Sequence, residues 1–304
     1  MIKSKTLLEM VDSIYFDLKT KRYSIIQKNQ EVLSKNDKYV ELSNELGRTK
    51  FLLAKAEYVG DEFEIEKLKS QVKTLENLIE KLISTLPVIK YEYKCKKCND
   101  TGVIDGKRCR CYNHYLTKVA FKVLEIPEAK GESFSNVIPT PELNRQIKII
   151  KNYADNFPNT QIQNLVLIGT VGTGKTFLSK CVLESVKNTD NIAVFLNASD
   201  LNNVFLKMHT AQIDRTLTFE VLCDIDLLVI DDLGTENLFK NVTVEYLLSL
   251  ISCRLDRGKH FIITTNLSND ELLNRYTERL FSRLSDKTKT LFIPFNSADK
   301  RRQK

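Results

Sequence analysis

Two groups of residues in this 304-residue sequence have the types and spacings that do chemistry. The first is Gly169-Thr170-Val171-Gly172-Thr173-Gly174-Lys175-Thr176, which follows the apolar run Leu165 to Ile168 and precedes the helical stretch Phe177 to Val186. Glycines let successive backbone N–H groups curl around phosphate oxygens, and the helix N-terminus adds partial positive charge. At this spacing Lys175 is expected to reach the β and γ phosphates, with the Thr176 hydroxyl on Mg²⁺ and Gly169, Gly172, Thr173, Gly174 and Phe177 completing the cradle. The plain alternative is a Gly-rich turn with no ligand. Against it stands Leu227 to Ile230, a buried-strand run ending in Asp231-Asp232, so that two carboxylates emerge where open α/β sheets bind their ligands. Asp231 is expected to hold Mg²⁺ through water and Asp232 to polarise the attacking water. A third run, His260 to Thr265, ends in Asn266, whose amide would orient that water; alone it reads equally as a helix cap.

The second group is Cys95-x₂-Cys98-x₁₀-Cys109-x-Cys111, four of the seven cysteines, in two close pairs joined by a loop with Gly102 and Gly106. Structural Zn²⁺ takes four soft ligands and keeps no open position. In a chain without an export signal, clustered thiols indicate metal more than the alternative of two disulfides. His114 is an alternative to Cys111 as the fourth ligand. Lys94, Lys96, Lys97, Lys107, Arg108 and Arg110 surround the cluster. They would soften the negative charge of a Zn(Cys)₄ centre and could also face DNA. Cys181, Cys223 and Cys253 are scattered among apolar neighbours.

These groups need elements to hold them. Length suggests about two units, and 42% apolar with 28% charged residues, 10 Gly and 6 Pro, is the composition of a soluble, helix-rich globular protein. Residues 1–90 are charged and helical in period. Ile65, Leu68, Val72, Leu75, Ile79, Leu82 and Leu86 form one seam, which fits a coiled coil or one arm of a hairpin packed on Leu33 to Leu53 with Gly60-Asp61 as its turn. No residues there are arranged for chemistry, so it reads as a partner-binding module. Residues 91–112 are the zinc segment, and 113–139 a connecting helix, Asn113 to Glu125, with a linker. Residues 140–304 open with a helix capped by Thr140-Pro141, with Leu143, Ile147, Ile150, Ala154 and Phe157 on one face. Strand-length runs then alternate with helices at Leu165–Ile168, Ile192–Leu196, Leu227–Asp231, Phe261–Thr265 and Thr290–Ile293: an α/β domain with a five-stranded parallel sheet. No stretch approaches the ~18 apolar residues of a membrane helix, and Met1 to Met10 lack a continuous apolar core, so no membrane partner and a cytoplasmic location are expected. The net charge of +7 only mildly favours an acidic partner. From Arg283 onward the chain turns basic, which fits a solvated tail as well as a DNA contact.

The ordered set Glu132-Ser-Phe-Ser-Asn-Val137, Gly169 to Thr176, Ile230-Asp-Asp-Leu-Gly234, Thr264-Thr-Asn266 and Glu278-Arg-Leu-Phe-Ser-Arg-Leu284 resembles the AAA+ ATPases of the DnaC/DnaI-type replicative helicase loaders, whose branch includes the transposition helper IstB. The resemblance covers about Phe134 to Lys304. It implies an AAA+ P-loop ATPase domain, with Phe134 bordering the adenine and Arg283 as an arginine finger reaching a neighbouring subunit's γ phosphate, helped by Arg279. Glu278, Arg279 and Arg283 could instead make surface pairs along one helix. Arg301 is a candidate second sensor. Two features depart from most AAA+ proteins: Asp232 stands where glutamate is usual, and only 38 residues follow Asn266, too few for a separate helical lid, a truncation that the loaders share.

The resemblance implies an ATPase that uses ATP, Mg²⁺ and Zn²⁺, self-associates through its ATP sites, and helps place a hexameric replicative helicase on single-stranded DNA. Two other readings are an IstB-like transposition helper, whose relatives generally lack a zinc segment and long helical front, and a nucleotide-gated adaptor with little hydrolysis, motivated by the shorter Asp232.

Overall fold

The computed structural model describes residues 6–296. Its contacts divide the chain into two units, Ser13–Ile104 and the remainder. Three helices lead: α1 (Leu7–Ser34), α2 (Asp37–Val59) and α3 (Glu62–Thr85). Their ends are fixed by local chemistry. Asn36 caps α2 by accepting from the Tyr39 amide, Gly60 closes it in the left-handed region at φ 81°, and Asp61 caps α3 by accepting from the Glu64 amide. α2 packs on α3 as a hairpin with Gly60-Asp61 at the turn. Leu68 and Leu75 of α3 are buried, as are the small residues Thr49 and Ala56 of α2. Around the turn the apolar side chains face water: Tyr58 is 93% exposed, Val59 71% and Phe63 80%.

The chain continues through two-residue strands β1 (Val103–Ile104) and β2 (Lys107–Arg108), flanking Asp105-Gly106, into α4 (Arg110–Leu124). This helix begins three residues before the expected Asn113, directly after Cys109, whose extended backbone serves as its N-cap. Cys111 therefore lies in its first turn. A short 3-10 turn, Phe134–Asn136, precedes α5 (Asn144–Asn156). The expected Thr140-Pro141 start is corrected: α5 is entered through a tight turn in which the Thr140 carbonyl accepts from both the Leu143 and Asn144 amides, and Leu143 is the N-cap. The Thr140 hydroxyl, buried without a hydrogen-bond partner, makes no capping bond to the amides that follow.

The sheet comprises β3 (Asn164–Gly169), β4 (Ala193–Asn197), β5 (Leu227–Leu233), β6 (His260–Thr265) and β7 (Thr290–Phe295), all parallel in the order β4-β5-β6-β3-β7. Between them run α6 (Lys175–Lys187), α7 (Ala198–His209), α8 (Arg215–Asp224), α9 (Thr243–Asp256), α10 (Asn269–Arg275) and α11 (Glu278–Leu284). β5 and β6 are almost wholly buried, which is why they read as continuous apolar runs rather than alternating ones. On one face, Leu165, Leu167, Leu227, Val229, Ile262 and Ile293 pack with Ile150, Leu178 and Val182 of α5 and α6. Because side chains alternate along a strand, Val166, Leu228, Ile230 and Ile263 turn to the opposite face, where α7 and α9 meet the sheet. No helix among the described residues is long and apolar enough to cross a membrane.

Candidate functional site

The loop between β3 and α6 curls at the C-terminal edge of the sheet. Gly169 lies at φ 152°, and a Cβ there would sit 2.2 Å from the Phe295 carbonyl oxygen, so no other residue fits beside β7. Gly174, at φ 97°, is the left-handed N-cap of α6 and leaves the first amides of that helix facing the loop. Inside the curl Thr173 Oγ1 donates to the Thr170 carbonyl at 2.9 Å. Lys175 is 5% exposed, and its Nζ donates to the carbonyls of Gly169 at 2.7 Å and Thr170 at 2.8 Å and to Asn266 Oδ1 at 2.9 Å.

Strand order explains the last contact. β6 lies between β5 and β3, so Asn266 at its end stands between the lysine after β3 and the carboxylates at the end of β5. Asn266 Nδ2 donates to Asp232 Oδ1 at 3.4 Å. The β5–β6 register shifts between Ile230 and Leu233, and Asp232 takes a left-handed backbone at φ 54°. Thr264 stabilises this bulge: its hydroxyl donates to Asp231 Oδ1 at 2.6 Å and accepts from the Asp232 amide at 2.9 Å. Asp231 is buried beside Thr176, which also hydrogen-bonds it. Burial pushes the Asp231 carboxyl above its ordinary range, and the Asp232 charge adds to this. The Thr264 and Thr176 hydrogen bonds and the Lys180 ammonium pull the other way. A buried carboxyl whose charge is disfavoured, next to a hydroxyl, is a donor set suited to a hard divalent cation, whose charge would reverse the penalty.

A cavity of about 750 Å³ opens over these groups. Its polar end is formed by the loop with Lys175, Thr176, Asp232 and Asn266, and its apolar wall by Val137, Ile138, Leu143 and Ile147. Phe177 lines it as well. Phe134 does not: it is half-buried against the hydrophobic core, while Asn136, Val137 and Ile138 of the same segment line the cavity. Sequence reasoning missed these residues and Thr264, although Asn136, Val137 and Thr264 lie within the motifs and Ile138 directly follows one; the missing elements were the local backbone turn and the strand register.

Arg279 and Arg283 share one exposed face of α11, anchored from below by buried Leu280 and Leu284. Neither lines the cavity. Among the described residues no salt bridge joins them to Glu278, so helix-surface pairing does not account for them. Arg301 and the basic residues after it lie outside the described residues.

In the cysteine segment the sulfurs of Cys95, Cys98, Cys109 and Cys111 lie within 4.8 Å of one another, compatible with one tetrahedral ion whose bonds to sulfur are about 2.3 Å long. The cluster is made by these four cysteines, and His114 is not in it. Asp100 shapes the first pair. Its carboxylate accepts from the Cys95 amide at 2.7 Å, the Lys94 amide at 3.0 Å and the Tyr91 hydroxyl at 3.0 Å. The Gly102 amide donates to Cys98 Sγ at 3.4 Å, which orients that sulfur within the cluster.

A parallel α/β sheet with a glycine loop, a paired carboxylate strand and an intervening asparagine defines a P-loop nucleotide-binding fold. Residues 140–302 match the model of the IstB-like ATP binding proteins. That is more than half of the chain, and the protein belongs to this family. No curated protein matches it. Among solved structures it is similar to the DnaC helicase loader, at 25% identity over 54% of this chain and 96% of that one, with a TM-score of 0.47. It is also similar to DnaI, at 18% identity over 57% and 92% with a TM-score of 0.44. AMPPCP-bound DnaA from Aquifex aeolicus matches at 18% identity over 54% and 49%, with a TM-score of 0.46. The chain thus spans about half the length of that DnaA.

Proposed function

We propose that this family member is an ATP-dependent loader that binds a hexameric replicative helicase and helps place it on single-stranded DNA. The observation that carries the reading is the helical hairpin ahead of the ATP-binding domain, with Tyr58, Val59 and Phe63 exposed at its turn. Apolar side chains so exposed at one place mark a contact surface. Glu57, Asp61, Glu62, Glu64 and Glu66 surround them without a basic residue from 56 to 66, which disfavours nucleic acid there and favours a protein.

In this reading the loop amides and Lys175 hold the triphosphate of ATP, and Val137, Ile138 and Phe177 shelter the base. Thr176 and Asp231 would hold Mg²⁺, which neutralises charge on the phosphates when bound. Asp232 accepts a proton from the attacking water, Asn266 orients that water, and Arg283, assisted by Arg279, is presented to the site of a neighbouring copy. Cys95, Cys98, Cys109 and Cys111 would hold a structural Zn²⁺. Phe134 acts behind the base wall rather than on the base.

Native mass spectrometry with the replicative helicase of the same cell, with and without ATP and Mg²⁺, tests the reading. The expected result is a defined complex that is lost on removing residues 1–112. No complex in any nucleotide state would overturn it and favour the transposition-helper role. A second reading, a nucleotide-gated adaptor with little turnover, draws on one observation: the short Asp232 side chain is already engaged by Asn266.

A further inference from the structure

Past the carboxylate pair the chain does not run free. Thr235 turns back, its amide and hydroxyl both donating to the Asp232 carbonyl, the hydroxyl at 2.8 Å. Gly234, at φ 109°, packs so closely on Leu267 that a Cβ would meet its Cδ1 at 2.5 Å. Glu236, which follows Thr235, is only 3% exposed. A carboxylate so deeply buried costs several kcal/mol unless hydrogen bonds and a cation satisfy it, and here all three partners are informative. Oε2 accepts from the Gly234 amide at 2.8 Å. Oε1 accepts from the Tyr276 hydroxyl. Arg275 Nε stands 3.8 Å from Oε1, while its Nη2 donates to the Glu236 carbonyl.

Tyr276 is the residue between α10 and α11: its amide closes α10 on the Leu272 carbonyl, and the next residue, Thr277, caps α11. It is 5% exposed, and burial pushes its phenol well above the ordinary range, so it remains a donor at any working pH. α11 carries the two exposed arginines. One carboxylate therefore ties the backbone immediately after Asp232 to the hinge of the helix that bears Arg279 and Arg283. The rest of the Glu236 segment is pinned as well, by Asn202 Nδ2 on the Asn237 carbonyl at 2.7 Å and by the Phe239 amide on Thr243 Oγ1 at 2.9 Å.

We infer that Glu236 and Tyr276 are positioning residues that transmit the state of the nucleotide site to α11, and so set when its arginines are presented to a partner subunit. The presentation clause rests on the reading of Arg283 as a finger; the transmission itself does not.

The test is hydrogen exchange of the full chain over residues 276–284, with and without adenylyl imidodiphosphate and Mg²⁺, in wild type, Tyr276→Phe and Glu236→Gln. The wild type should show slower exchange in this segment when nucleotide binds. In both variants that nucleotide-dependent difference should fall by more than half, while nucleotide affinity stays within about threefold of wild type. A purely structural role would speed exchange equally in both states and leave the difference intact, which would overturn the inference, as would a wild-type segment indifferent to nucleotide. Tyr276→Phe removes a single oxygen and decides the matter if Glu236→Gln fails to fold. Undiminished turnover in Arg283→Ala would remove the finger reading and leave the coupling standing.

Discussion

Lys175 and Asn266 meet across 91 residues of sequence, and Asp232 reaches them only because β5, β6 and β3 are neighbours in the sheet. The four cysteines meet within 17 residues, through turns shaped by one carboxylate, Asp100. The first site is a property of a whole parallel sheet; the second is assembled from its own loop and the first turn of α4. Damage should accordingly spread differently from each, and this difference can be broken experimentally.

The largest effect should follow metal removal. A structural zinc contributes on the order of 10 kcal/mol of apparent folding energy to its segment. Cys98→Ser, or a strong chelator, should reduce elemental zinc from about one per chain to none and open residues 91–111 to proteolysis, with ATP affinity changed by no more than about threefold. Equal loss of ATP binding would erase the contrast. In the sheet site, Lys175→Ala should weaken ATP binding by about a hundredfold, or ~2.7 kcal/mol, while zinc content stays constant. Calorimetric titration measures the first and elemental analysis the second. Asp232→Asn should reduce turnover by roughly a hundredfold with ATP affinity retained. Undiminished turnover would remove its role as base, and absence of turnover in wild type even with helicase and DNA would establish the adaptor.

The hairpin sharpens the comparison from a third side. Tyr58→Ser with Phe63→Ser alters only exposed side chains, so melting should shift little, whereas helicase binding should weaken by about tenfold, ~1.4 kcal/mol. Unchanged binding would move the contact away from the turn.

The smallest effect concerns Asp231. Its folded pKa is raised by burial. The native state therefore gains stability in acid and loses it as pH rises through that folded value. Asp231→Asn should raise the melting temperature of the nucleotide-free protein at pH 7 by about 2 °C, an advantage that shrinks as pH falls toward the ordinary carboxylate range. The same variant should lose the extra stabilisation that Mg²⁺ adds to ATP.

What the sequence disclosed follows the same division. Strand-length runs, the glycine loop and the cysteine spacing are local patterns, and all five strands lie where their apolar runs do. The heptad seam of α3 left coiled coil and hairpin open because a seam shows that a partner exists without saying which one. Thr264 could not be recognised as the clamp of the carboxylate strand, because its partners follow from the register of β5 on β6 and from a bulge invisible in residue types. Phe134 comes from family resemblance, which points to a segment, whereas the local 3-10 turn decides that Val137 and Ile138 of that segment line the cavity.

The left-handed backbone of Asp232 bears on how this protein can be engineered. Residues other than glycine hold that conformation at an energetic cost, and glycine would relieve it. A library of variants sorted only for heat resistance would therefore be drawn toward replacing Asp232. The tougher survivors would be those that had discarded the carboxylate proposed as the base, so any such screen must sort for nucleotide turnover at the same time.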